Sequence, residues 1–112
     1  MLQTGDAQLL RIFIGESDTL HHHPLWETIL NQARAAHLAG CTVFRGEAGF
    51  GASSKIHKAG ILDLSTDLPV LIEIVDHPDR IQSFLPQLDS LMEEAGSHGL
   101  VTVEKVDVRF YR

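Results

Sequence analysis

The chain has 112 residues, 44% of them apolar and 21% charged, which suits one globular domain over residues 1–112 and argues against disorder or a long coiled coil. Nine Lys and Arg against fifteen Asp and Glu leave a net charge of −6. That balance excludes a general binder of nucleic acid or anionic membranes, whose affinity rests on clustered positive charge. The single cysteine, Cys41, permits no internal disulfide and fits a reducing compartment. Residues 1–11 are too polar for a signal peptide. The best apolar run, residues 68–75, contains Glu73 and falls far short of the roughly 20 residues that span a bilayer. A cytoplasmic protein is expected.

Residues 7–14 read as the first strand, with Leu10, Ile12 and Ile14 alternating on one face while Leu9 and Phe13 flank Arg11 on the other. Apolar groups on both faces predict a strand covered on both sides. Residues 15–22 are a polar loop. Pro24 suits the first position of a helix. Leu25, Ile29, Ala33 and Ala36 form its stripe, with Trp26 and Leu30 beside them, and Gly40 is the expected left-handed residue that ends it. A second strand follows at 41–45, then a loop at 46–54 containing three glycines. Residues 59–64 resume strand character, 65–67 turn, and 68–75 are the strongest strand. Pro78 opens the second helix, with Asp79 near its positive end. Its stripe of Ile81, Phe84, Leu85, Leu88, Leu91, Met92 and Ala95 keeps a 3.6-residue period through Pro86, which is expected to kink this helix without ending it. Gly96 and Gly99 bracket a turn. Val101 and Val103 are out of phase with Val106, Val108 and Phe110, which predicts a bulge near Glu104 and Lys105. That bulge would divide a fourth main strand, 100–104, from a short extra strand, 106–111.

The order β-α-β-β-α-β with right-handed crossovers predicts the α+β class. The architecture is a ferredoxin-like βαββαβ sandwich, two helices on one face of an antiparallel sheet, with a short extra C-terminal strand. Val70, Ile72 and Ile74 oppose Leu71 and Val75, so the other sheet face would be an exposed apolar patch in a monomer. An oligomer closed through its sheets is expected.

Candidate chemistry is sparse. Gly46 and Gly51 have the spacing of a P-loop, but Ala52 stands where that motif needs lysine and no helix follows. Gly49-Phe50-Gly51 begins a dinucleotide-type glycine motif, but Ser54 replaces its third glycine. What remains is a glycine loop whose backbone can approach an anion. Arg45, Lys55 and Lys58 against Glu47 make residues 45–58 locally basic, and Arg109 with Arg112 adds a second basic group. Both are either solvated surface or the seat of a phosphate-bearing ligand. His21, His22 and His23 are consecutive and cannot all face one ion from a regular element. No Cys-x-x-Cys, His-Glu-x-x-His or acidic calcium loop occurs, so no metal site is assigned. Cys41 reads as a structural thiol. Glu73 reads as an ion-paired or exposed carboxylate, or one of raised pKa if buried. His57 with Ser53 or Ser54 lacks an orienting carboxylate nearby in sequence. No catalytic residue is assigned, and an enzyme is not expected.

Five blocks together resemble the domain-of-unknown-function 190 family. They are Leu9-Leu10-Arg11-Ile12-Phe13-Ile14-Gly15-Glu16, Ala39-Gly40-Cys41-Thr42-Val43-Phe44-Arg45-Gly46, Gly49-Phe50-Gly51-Ala52-Ser53-Ser54, Asp67-Leu68-Pro69-Val70-Leu71-Ile72-Glu73-Ile74-Val75-Asp76 and Gly99-Leu100-Val101-Thr102. That family is placed with the PII-like signalling proteins. The resemblance implies ferredoxin-like subunits, usually trimers, that bind adenine nucleotides between subunits and signal through a loop between the second and third strands. It matches Gly49, Phe50 and Gly51 to the start of that loop, and Gly96 and Gly99 to the turn whose N–H groups meet phosphates. Ser97 and His98 stand where PII proteins carry a glycine-lysine motif. The loop here is also much shorter, and no tyrosine matches a PII modification site.

The expected function is a homotrimeric PII-like regulator that holds a phosphate-bearing small molecule, an adenine nucleotide above all, in intersubunit clefts. The ligand is regulatory, with no resident cofactor. Gly46, Gly49, Phe50 and Gly51 would shape the loop, Lys55, Lys58 and Arg109 would supply charge, and a membrane transporter or an enzyme would be the partner that reads the 46–58 loop. The alternative is a divalent-cation trimer resembling CutA-like proteins, using His21, His22 and His23 or His57.

Overall fold

Strict alternation along two long strands puts every large β-branched residue of one parity under the helices. The computed structural model describes residues 4–60 and 67–111. Its elements in chain order are β1 (Gly5–Gly15), β2 (Thr19–Leu20), β3 (His23–Pro24), α1 (Leu25–Ala35), β4 (Thr42–Arg45), β5 (Ala48–Gly49), β6 (His57–Lys58), β7 (Pro69–Asp76), α2 (Pro78–Ala95) and β8 (Leu100–Val108). The main sheet has the order β4-β7-β1-β8, and every neighbouring pair in it is antiparallel. Leu10, Ile12 and Ile14 of β1 and Val70, Ile72 and Ile74 of β7 join Leu25, Ile29 and Ala33 of α1 and Ile81, Phe84 and Leu88 of α2 in one core. Each of the larger of these side chains contributes roughly 1.5–3 kcal/mol by leaving water. This is the expected ferredoxin-like α+β sandwich. Among the described residues no helix is long and apolar enough to cross a membrane.

The α2 stripe is as the period predicts, and the helix runs unbroken through Pro86. Pro86 sits on the exposed side, where the carbonyl of Gln82 that loses its N–H partner belongs to an equally exposed residue. Two other expectations fail in instructive ways, and a third falls mostly outside the described residues. The residue that ends α1 is His37, at φ 59, three positions before Gly40. The His37 N–H reaches the Arg34 carbonyl and the Leu38 N–H reaches the Ala33 carbonyl, a Schellman pair that needs a left-handed residue at this point whatever its type. Val101 and Val106 do not mark a bulge. β8 is a single strand whose register with β1 is unbroken from Phe13↔Leu100 to Gly5↔Val108, so Val101 and Val103 lie on the helix side and Val106 and Val108 on the other. Residues 109–111 carry no strand. Of the strand expected at 59–64, Ala59 and Gly60 are not in one, and 61–66 lie outside the described residues.

Asp76 holds the two helices in place. It is 1% exposed and accepts hydrogen bonds from the backbone N–H of Ala39 at 2.9 Å, the backbone N–H of His77 at 2.7 Å and Arg80 Nε at 3.0 Å. Arg80 in turn donates to the carbonyls of Ala36 and His37, acceptors that the end of α1 leaves without helical partners. Replacing Asp76 with Ala removes three hydrogen bonds and strands a half-exposed guanidinium. Breaking a fully buried pair costs about 3–5 kcal/mol, and solvent access to Arg80 reduces this to about 2–3 kcal/mol, to be read as a lower urea midpoint at unchanged m-value.

Candidate functional site

Antiparallel register gathers four strand ends at one pole of the sheet. Gly15 faces Pro69, Arg45 faces Val70, and Phe13 faces Leu100. The C-terminal ends of β1 and β4 therefore lie beside the N-terminal ends of β7 and β8. From this pole rise the β5–β6 ribbon and the turn at residues 96–99. The two are separated by the breadth of the sheet, roughly 14 Å for three strand spacings.

Most of the residues expected to bind a ligand lie at this pole, for reasons the glycine pattern alone does not reveal. The Gly46 N–H extends the ladder to the Pro69 carbonyl at 2.7 Å. A Cβ on Gly46 would come within 2.7 Å of the Pro69 ring, and one on Gly49 within 3.1 Å. Those two glycines let the ribbon pack against proline. Gly51 has open space around it. The loop expected at 46–54 is a ribbon at its base, with Ala48 opposite Lys58 and Gly49 opposite His57, and the Ala59 N–H donating to the Glu47 carbonyl at 2.6 Å. Its tip exposes Phe50 and Ile56, at 71% and 67%. Lys55 and Lys58 are exposed and make no ion pair among the described residues. Arg45 is not available to a ligand in the same way, because its guanidinium pairs with Glu16 at 2.9 Å.

Gly96, at φ 64, is the left-handed residue that ends α2. Gly99 is fixed by close approach, since a Cβ there would lie 2.2 Å from the Phe13 carbonyl oxygen. Arg109 is the exception among the expected site residues. It follows β8 at the opposite pole, beyond the Gly5↔Val108 pair, and does not join the others within one chain.

Sequence reading missed the polar side chains that stitch this pole together. Asp18 Oδ2 accepts the Gly15 N–H at 3.1 Å and the Ser97 hydroxyl at 3.0 Å. Asp67 Oδ1 accepts the Ser17 N–H at 2.8 Å. Partners 79 and 50 residues away leave no local period to detect, and the only cue was that the 15–22 loop is rich in short polar side chains.

The histidines do not assemble. His21 and His22, at φ 50 and 68, are the two central residues of the tight β2–β3 hairpin, in the left-handed region that a type I′ turn requires. His21 Nε2 lies 2.9 Å from Glu94 Oε1, and His57 is in the ribbon. Among the described residues no three His, Cys, Asp or Glu side chains come together to hold a metal ion, so the cation reading finds no donor set there. Cys41 lines a shallow hollow with Leu30, Ala33, Arg34, Leu38 and Gly40, and burial pushes its thiol pKa up, which keeps it protonated and unreactive.

The outer face of the sheet, away from the helices, has its own order. Phe44, Leu71, Phe13 and Leu100 are cross-strand neighbours in one row, and Phe13, Phe44 and Leu100 are 39%, 47% and 57% exposed. In the next row Arg11 bonds Glu73 and Glu104, each at 2.9 Å. The hydrogen bond that Arg11 donates to Glu73, then the charge of Glu104, holds the guanidinium protonated even more firmly than usual.

Residues 7–108 match the DUF190 family, described as an uncharacterized ACR, and the chain belongs to it. A UPF0166 protein of Aquifex aeolicus is 37% identical over 102 residues, covering 90% of this chain and 91% of that one. A UPF0166 protein of Methanocaldococcus jannaschii is 30% identical over 90 residues, 80% and 82% of the two chains. The fold is that of PII-like proteins. CPII of Thiomonas intermedia, a nitrogen regulatory PII-like protein solved with ADP, AMP and bicarbonate, superposes with a TM-score of 0.69 at 16% identity over 96% of this chain and 92% of its own. A putative PII-like signalling protein of Thermus thermophilus gives 0.66 at 15% identity over 96% and 94%.

The contrast between two glycines tests the packing account of this pole. Gly99→Ala drives a methyl into the Phe13 carbonyl and should cost about 1–3 kcal/mol, the usual range for overpacking. Gly51→Ala meets nothing and should stay within about 0.5 kcal/mol of the parent. Urea unfolding of both variants measures the difference.

Proposed function

We propose that this member of the DUF190 family is a regulatory binding protein and not an enzyme. Its ligand is an adenine nucleotide held at the ribbon-bearing pole, between subunits of a homotrimer. The observation that carries the reading is the arrangement of that pole. A ribbon with two exposed lysines and a glycine turn project from the same end of a sheet whose fold is shared with a PII-like protein solved with ADP and AMP. Lys55 and Lys58 supply charge to the phosphates, and Gly46, Gly49, Phe50 and Gly51 give the ribbon its shape. Gly96 and Gly99 frame the opposite turn. Arg109, at the far pole of its own chain, contributes only from a neighbouring subunit.

The apolar row of Phe44, Leu71, Phe13 and Leu100 supports assembly through the outer sheet face, because a patch of this kind on a small chain is best covered by copies of itself. The ribbon tip, with Phe50 and Ile56 outward, is the surface through which ligand state passes to a partner, a transporter or an enzyme.

Two measurements test this. Sedimentation at micromolar concentration should give about three subunits, and Phe13→Glu, which places a carboxylate in the apolar row, should give monomers. Calorimetry should show ADP or AMP binding that weakens as salt rises. Lys55→Glu or Lys58→Glu should lower affinity about tenfold or more, since one charged hydrogen bond is lost and a repulsion gained, with the ligand-free melting temperature unchanged. Charge-reversed variants that bind as tightly as the parent would leave the lysines as solvated surface.

A further inference from the structure

In the turn before β8 the amides of Gly96, Ser97 and Gly99 bond within the chain. The N–H groups of Gly96 and Ser97 donate to the carbonyls of Glu93 and Met92, both at 3.0 Å. The Gly99 N–H donates to Ser97 Oγ at 3.1 Å. The Ser97 hydroxyl then gives its proton to Asp18 Oδ2 at 3.0 Å, so one side chain fills the Gly99 amide and is itself held by a carboxylate. Asp18 cannot swing aside freely. The same oxygen accepts the Gly15 N–H at 3.1 Å, its own N–H donates to the Gly15 carbonyl, and its carbonyl accepts the Leu25 N–H at 2.8 Å. Among the described residues Glu16 and Asp67 also carry carboxylates at this end of β1, and Glu16 is paired with Arg45. An anion approaching Gly99 therefore meets the Ser97 oxygen first and a fixed negative charge directly behind it.

We propose that Asp18, acting through Ser97, selects the charge of the ligand group that this turn admits. It positions the Ser97 hydroxyl on the Gly99 amide. A phosphate seats there only by displacing that hydroxyl, and it does so against the Asp18 carboxylate. A neutral hydroxyl-bearing group, such as the sugar of a nucleoside, enters without that repulsion. A hydrogen bond to an ionised acceptor is stronger than one between neutral groups, and two like charges at short range disfavour each other. The inference rests on the nucleotide reading above and assigns Asp18 as a positioning residue.

Asp18→Asn keeps the side-chain shape and an oxygen for Gly15 and Ser97 while removing the charge, and Ser97→Ala uncovers the Gly99 amide. Calorimetric titration of the full chain and Asp18→Asn with ADP, AMP and adenosine should show ADP binding about three- to tenfold tighter in the variant. That is the part of a close like-charge repulsion that survives solvent screening. Adenosine affinity should be unchanged, a contrast that a merely structural role for Asp18 does not produce. Without ligand, the Gly99 amide should exchange with deuterated solvent about tenfold or more faster in Ser97→Ala than in the parent. ADP binding equally to the parent and Asp18→Asn, or a Gly99 amide that exchanges alike in parent and Ser97→Ala, overturns this inference and leaves the nucleotide reading standing. Failure of ADP, AMP and adenosine to bind either the parent or Asp18→Asn overturns that reading and this inference with it.

Discussion

The carboxylate of Asp76 is the joint on which the fold turns. It ends β7 under the helices, where an unpaired charge would be very costly, and it avoids that cost with two backbone N–H groups and the Arg80 guanidinium. Because one N–H comes from Ala39 and Arg80 also reaches Ala36 and His37, a single group ties the exit of α1 to the start of α2. The chain then has only a short span before β4, so the joint also sets where that edge strand lies. Apolar burial supplies most of the stabilisation, but it is non-directional. The Asp76 cluster provides the direction.

The same contrast explains what could be read from the sequence. Both helical stripes and the parities of β1 and β7 follow from burial, and burial is periodic. The predicted sandwich therefore agrees with the structure. Features set by one hydrogen bond were invisible. His37 ends α1 because the geometry there requires a left-handed residue, and a glycine three positions later looked the better candidate. β8 departs from the expected split because a strand at the edge of the sheet, lightly covered on both sides, can carry valines of either parity without breaking its register. A change of phase in such a strand is no evidence of a bulge.

The candidate site was legible in outline only. The glycines at 46, 49, 96 and 99 do mark one pole, yet Gly46 and Gly49 are there for the Pro69 ring and Gly99 for the Phe13 carbonyl. The basic character expected around the loop reduces to Lys55 and Lys58 once Arg45 is paired. Acidic groups at the end of β1 supply an opposing field, and their partners lie too far along the chain for any spacing to announce them.

The unbroken β1–β8 register has a topological consequence. Thr4 and Phe110 lie side by side, with the Phe110 N–H on Thr4 Oγ1 at 3.1 Å, so the backbone enters and leaves the sandwich at one pole while the ribbon and the 96–99 turn occupy the other. Thr4 and Phe110 thus lie at the end of the sheet away from the ribbon. Between them and the ribbon pole stand the full lengths of β1 and β8, so the two ends of the sheet are joined through paired strands and not through a free segment.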